Sequence, residues 1–169
     1  MHLLCHRRTL QTLHPQVISI RAHPVVGSEF IGAKKMSNLL TSYSDSDIAQ
    51  IQKLLENAEK VPVTCEREFS GIWFQSEDME TELRLLVLST ISVTVSRVSL
   101  RNKRQGTMEK IFEFLKDFCC RNHVSKIVIQ SVLFPGMAKW CEKNGFTPKP
   151  TCILLNGFMS GDWQYFIKQ

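Results

Sequence analysis

Residues 91–119 constrain this chain more than any other stretch. Ile91-Ser92-Val93-Thr94-Val95-Ser96-Arg97-Val98 alternates apolar with polar side chains, the period of a strand with one buried and one wetter face. Beyond a short polar turn, Met108, Ile111, Phe112, Leu115, Phe118 and Cys119 recur at helical spacing, with Glu109, Lys110, Glu113, Lys116 and Asp117 between them. A half-buried strand feeding an amphipathic helix hides both apolar faces by laying the helix against a sheet. The run KIVIQSV at 126–132 then reads as a second, fully buried strand.

The rest of the chain fits around that unit. Ser44-Asp45-Ser46-Asp47 is a helix N-cap run with an acid three residues after Ser44. Ile48, Ile51, Leu54, Leu55 and Ala58 continue at helical spacing until Val61-Pro62-Val63 stops them. Strands are expected at about 69–75 and 83–88, separated by the polar loop 77–82. Pro135 starts a short helix that Asn144-Gly145 ends, and 151–155 and 163–167 close the chain as strands. The expected order is helix, three strands, helix, strand, helix, two strands, with no repeat. That is an α/β chain: one α+β domain with a mixed sheet.

At 169 residues the chain has the length of one ordinary domain. Its 43% hydrophobic and 22% charged residues exclude wholesale disorder, and runs such as 85–88 are far too short to span a membrane. The net charge of +5 points to no polyanionic partner once it is divided. Arg7, Arg8, Arg21, Lys34 and Lys35 face Glu29 alone in residues 1–35, which leaves 16 basic and 15 acidic side chains for 36–169. Neither nucleic acid nor membrane is therefore expected as a partner. Residues 1–35 lack a sustained period and hold four of the five histidines, so they read as a poorly ordered leader ahead of a domain at 36–169. Gly27-Ser28-Glu29-Phe30 is a peptide that adjoining cloning sites encode, and Met36-Ser37-Asn38 looks like a start. The alternative is a mitochondrial presequence, because no acid precedes Glu29. Six cysteines without a CxxC pair, and His123 alone beyond the leader, suggest a reduced cytoplasmic chain with no metal. His123 itself reads as a surface cap at a helix end.

The turn Arg101-Asn102-Lys103-Arg104-Gln105-Gly106-Thr107 carries the chemistry. It enters a helix whose first N–H groups have no intrahelical partner, and such an end, with its dipole, attracts anions. Gly106 admits a phosphate close to the backbone, and Arg101, Lys103 and Arg104 add charge. The plain alternative is a solvated basic turn.

These residues resemble the GNAT superfamily of acetyl-CoA-dependent N-acetyltransferases, in which a strand is followed by Q/R-x-x-G-x-G/A opening a helix. Here Lys103-Arg104-Gln105-Gly106-Thr107-Met108 takes those places, with Lys103 and Met108 departing from the pattern. Trp140-Cys141-Glu142-Lys143-Asn144-Gly145-Phe146 is similar to the family's aromatic-Tyr-Glu-Lys-x-Gly-Phe segment. The resemblance implies a central, mostly antiparallel sheet flanked by helices. It implies acetyl-CoA bound by Val98, Ser99, Lys103, Arg104, Gln105, Gly106, Thr107 and Met108, with no metal. It further implies direct attack by an amine-bearing small molecule or protein, and an oligomer is compatible with it. Cys141 stands where many members carry a Tyr that protonates the departing thiolate. It reads either as that general acid or as a small apolar filler. Trp73 and Trp140 read either as lining of an acceptor pocket or as core. Glu66, Glu68, Asp78, Glu80 and Glu82 lie before or between the strands that flank the acceptor side in the family, and the run from Glu77 to Glu82 reads either as a solvated loop or as an attraction for a cationic amine. The rival to catalysis is a CoA-binding or sensor module of the same fold.

Overall fold

The computed structural model describes residues 42–168, so the expected leader and the domain start at residue 36 lie outside the described residues. The elements are α1 (Asp45–Glu59), β1 (Thr64–Glu68), β2 (Gly71–Gln75), β3 (Glu82–Leu88), β4 (Ser92–Ser99), α2 (Thr107–Arg121), β5 (Lys126–Val132), α3 (Pro135–Lys143), β6 (Thr147–Pro148), β7 (Ile153–Leu155) and β8 (Phe158–Phe166). The strands form one sheet in the order β1-β2-β3-β4-β5-β8-β6, with β7 beside β8. Every pairing is antiparallel except that of β4 with β5, which α2 connects. This is the mixed α/β domain expected from the sequence.

The core follows the two periodicities. Ile51 and Leu55 of α1, and Ile111, Phe112, Leu115, Phe118 and Cys119 of α2, are buried with alternate strand residues, among them Ile72, Phe74, Leu83, Leu85, Val93, Val95, Ile127 and Ile129. The α1 start is a reciprocal capping box. The Asp47 N–H donates to Ser44 Oγ at 3.2 Å, and the Ser44 N–H donates to Asp47 Oδ2 at 2.9 Å. α1 and α2 lie antiparallel, because Arg121 at the end of α2 pairs with Asp47 at the start of α1 at 2.9 Å, while the start of α2 meets the end of α1.

Three strands depart from the sequence expectation. β1 reads TCERE and is exposed or half-buried throughout, as an edge strand with no apolar alternation to betray it. β6 is two residues long and contains Pro148. β8 starts at Phe158, not 163, because Gly161 and Asp162 are part of the strand although they read as a turn. Gly161 has φ +135°, and a Cβ there would stand 2.8 Å from Cys152 Sγ, so the close approach of Cys152 demands glycine. Among the described residues no helix is long and apolar enough to cross a membrane.

Candidate functional site

β4 and β5 are paired only from Val93↔Ile127 to Val95↔Ile129. Both then carry a bulge. On β4 the extra residue is Ser96, since Arg97 still faces Arg84 while Val95 faces Leu85. On β5 the register against β8 slips between Ile129 and Val132, where Ser131 has φ +53° and donates its N–H to Asp162 Oδ1 at 3.0 Å. Bulges bend their strands and end regular pairing. Two of them, each just past the last shared pair, make the parallel strands part at their carboxyl ends. Among the described residues no strand covers the β5-facing edge of β4 beyond Val95. Clefts at the carboxyl ends of parallel strands are where open α/β sheets bind ligands.

The turn that leaves β4 stands at the mouth of this cleft. Arg104 and Gly106 both adopt left-handed conformations, with φ +63° and +72°. Gly106 is the N-cap of α2 and offers no side-chain cap bond, so a fifteen-residue helix dipole ends there uncapped. Among the described residues, the one atom within 4 Å of a Cβ placed on Gly106 would be Glu109 Oε2, at 4.0 Å. Lys103, Arg104 and Gln105 are exposed, whereas Thr107 and Met108 are buried and point their side chains inward. Val98 is half-buried against the core, and Ser99 donates its hydroxyl to the Glu80 carbonyl at 3.1 Å. α3 also starts at this end of the sheet, with Phe134 exposed as its N-cap and Pro135 in its first turn.

The structure separates residues that the sequence grouped. Arg101 turns away from the helix start and pairs with Asp78 and with Glu80, the latter at 3.2 Å, which leaves Lys103 and Arg104 as the exposed cations of the turn. Arg101 therefore engages Asp78 and Glu80 of the 77–82 loop. Glu82 is buried and paired with Arg97 at 2.6 Å, its Oε1 lacking a partner among the described residues, and Glu68 pairs with Arg84 at 2.9 Å. Trp73 is half-buried on the same sheet face, with the Arg84 guanidinium 5.7 Å from its ring centre and its indole N–H without a hydrogen-bond partner among the described residues. Trp140 donates its N–H to Glu109 Oε1 at 3.0 Å and packs on Phe112 and Phe146.

Cys141 has no exposed surface, and burial, with a smaller push from Glu142, raises its thiol to about 12. The geometry supports the filler reading that the sequence held open. His123 is exposed just past the end of α2 with φ +54°, as a cap position would be. A cavity of about 490 Å³ lined by Cys119, Cys120, His123, Ile167 and Lys168 lies at that far end of α2, away from the turn. Among the described residues no group of His, Cys, Asp or Glu is arranged to hold a metal ion.

Sequence reasoning missed Glu59, the last residue of α1. It is 1% exposed, accepts the Asn102 N–H on Oε2 at 2.7 Å and faces the Thr107 hydroxyl with Oε1 at 3.3 Å. A signal was present: an acid ends a helix that has no basic residue in its last turn, where the dipole disfavours it unless another element supplies donors.

No family model matches the chain, and no curated protein does. Solved structures to which it is similar include Ard1 from Thermoplasma volcanium, with 10% identity over 76% of this chain and 97% of that one at a TM-score of 0.46. Another is the ribosomal-protein-S18-alanine N-acetyltransferase from Escherichia coli, with 15% identity over 76% and 93% at 0.44. A third is a GNAT family acetyltransferase from Elizabethkingia anophelis with acetyl-CoA bound, with 14% identity over 83% and 95% at 0.41. These likenesses are faint, and the architecture rests on the strand order and register given above.

Proposed function

We propose that this protein is an N-acetyltransferase that moves the acetyl group of acetyl-CoA to a primary amine by direct attack. The observation that supports this reading most is the parting of β4 from β5 just beyond Val95 and Ile129, beside an uncapped helix start at Gly106. An elongated ligand with an acyl thioester at one end and a diphosphate further along suits that pair of features. The free edge of β4 at Val98 and Ser99 offers backbone groups to the amide-bearing arm. Lys103, Arg104 and the backbone from Gln105 to Met108 surround the diphosphate.

In the reaction the amine nitrogen forms a bond to the acetyl carbon and the carbon–sulfur bond breaks. The nitrogen loses a proton and the departing thiolate gains one. The chain contributes positioning, and a backbone N–H near Val98 stabilises the developing oxyanion. Trp73, on the sheet face opposite the helices, lines the acceptor side in this reading, and the acceptor is an amine-bearing small molecule or protein.

A CoA-binding module without catalysis is the second reading, favoured by the burial of Cys141 where a Tyr acid would be sought. Acetyl-CoA offered with a panel of polyamines, aminoglycosides and lysine peptides separates the two. Acetylated amine and free CoA in equal amounts are expected. CoA binding without any acetyl transfer across the panel would leave the binding module standing.

A further inference from the structure

We propose that Glu59 is the positioning residue of the anion-binding turn, acting through Asn102 and Thr107 to hold the backbone of residues 102–107 ready for a diphosphate. The inference rests on the acetyl-CoA reading above. Placing a carboxylate at 1% exposure is costly unless donors meet both its oxygens. Among the described residues no cation lies within ion-pair distance of it, and what compensates it is the turn itself. Oε2 takes the Asn102 backbone N–H at 2.7 Å, and Oε1 takes the Thr107 hydroxyl at 3.3 Å.

Asn102 returns the contact, donating its side-chain amide to the carbonyls of Ala58 at 3.1 Å and Glu59 at 3.0 Å. One carboxylate thus ties the first part of the turn to the first residue of α2. The segment between these anchors contains the two left-handed residues and the exposed Lys103 and Arg104. A loop closed at its base by a buried group has fewer conformations to lose when a ligand orders it, so affinity is gained by preorganisation. Glu59 lies beneath the turn and is not a catalytic residue. Removing it loosens the cradle without touching the reacting atoms.

The test uses the full chain. Glu59→Ala is expected to raise the Kd for CoA and the KM for acetyl-CoA about 10-fold or more, while kcat at saturation stays within about threefold. Glu59→Gln, which still offers an oxygen to the Asn102 N–H and an amide to the Thr107 hydroxyl, is expected to recover most of that loss. Leu55→Ala, a core truncation on the same helix, controls for stability. It lowers Tm and leaves Kd close to wild type. Hydrogen exchange of the Asn102 amide is expected to speed up at least 10-fold in Glu59→Ala. Unchanged CoA affinity in Glu59→Ala, or unchanged exchange at Asn102, overturns the proposal. If the wild type itself binds no CoA, the acetyl-CoA reading falls with the ligand role of Glu59, and the Asn102 exchange rate still decides whether Glu59 holds the turn.

Discussion

Cys141 and Glu59 are both buried, and burial asks different things of a thiol and of a carboxylate. A thiol is a small apolar group that the core accepts without compensation, and burial simply holds its proton on. A carboxylate must be met by donors, so a buried one identifies the segment it organises. For Cys141 the expected outcome of Cys141→Ala is a loss of about 1 kcal/mol, or about 2 to 4 °C in Tm, with acetyl transfer within about twofold of wild type. The pH dependence follows from the raised thiol. An unfolded cysteine ionises near 8.5 to 9, while Cys141 resists until about 12, so the unfolded chain sheds this proton first. The Cys141 contribution is therefore complete below pH ~8.5 and is lost as pH rises from there towards 12. Urea titrations of wild type and Cys141→Ala across that range read the difference, and a turnover loss of 10-fold or more without a Tm change would assign Cys141 the general-acid role.

At the scale of elements, α1 and α2 are held together at both ends, by Asp47 with Arg121 and by Glu59 with the turn before α2. Burial alone would raise the Asp47 carboxyl, but the Ser44 hydrogen bonds and the Arg121 pair outweigh it and bring it below the ordinary value of about 3.9. A depressed carboxylate contributes stability that is present above the unfolded value and lost as pH falls through the folded one. Asp47→Asn is expected to cost about 1 to 2 kcal/mol at neutral pH and to flatten the loss of stability below pH ~4. Denaturant midpoints at pH 7 and pH 3 check both halves, and an acid limb as steep as wild type would contradict the assignment. Both helices were legible in the sequence because apolar stripes and a capping run are local signals. β1 was not, since an edge strand of Thr, Cys, Arg and Glu buries no face of its own. β8 was misplaced because Gly161 looks like a turn until Cys152 is seen lying against it. The turn before α2 was legible as a strand-to-helix turn opening at Gly106, but its hydrogen bonds to Glu59 were not, because residues 59 and 102 meet only in the folded chain.

At the scale of the whole molecule, the account rests on one opening in an otherwise continuous sheet. Seven strands run from β1 to β6 across the sheet, and between β4 and β5 paired bulges interrupt the ladder beside the start of α2. The charges at that end sort themselves. Arg84, Arg97 and Arg101 are engaged with Glu68, Glu82, Asp78 and Glu80, so Lys103 and Arg104 are what the turn presents to an incoming anion. The most direct measurement is the thermal shift of the wild type and of Gly106→Glu with CoA. For a Kd of ~10 μM, CoA at ~1 mM stabilises a single site by about 2.7 kcal/mol, a rise in Tm on the order of 5 to 10 °C for a domain this size. Gly106→Glu puts a strained side chain and a negative charge where the diphosphate would lie, and the account predicts that its shift disappears while its fold persists by circular dichroism. No shift in the wild type with either CoA or acetyl-CoA, or an equal shift in Gly106→Glu, would contradict it.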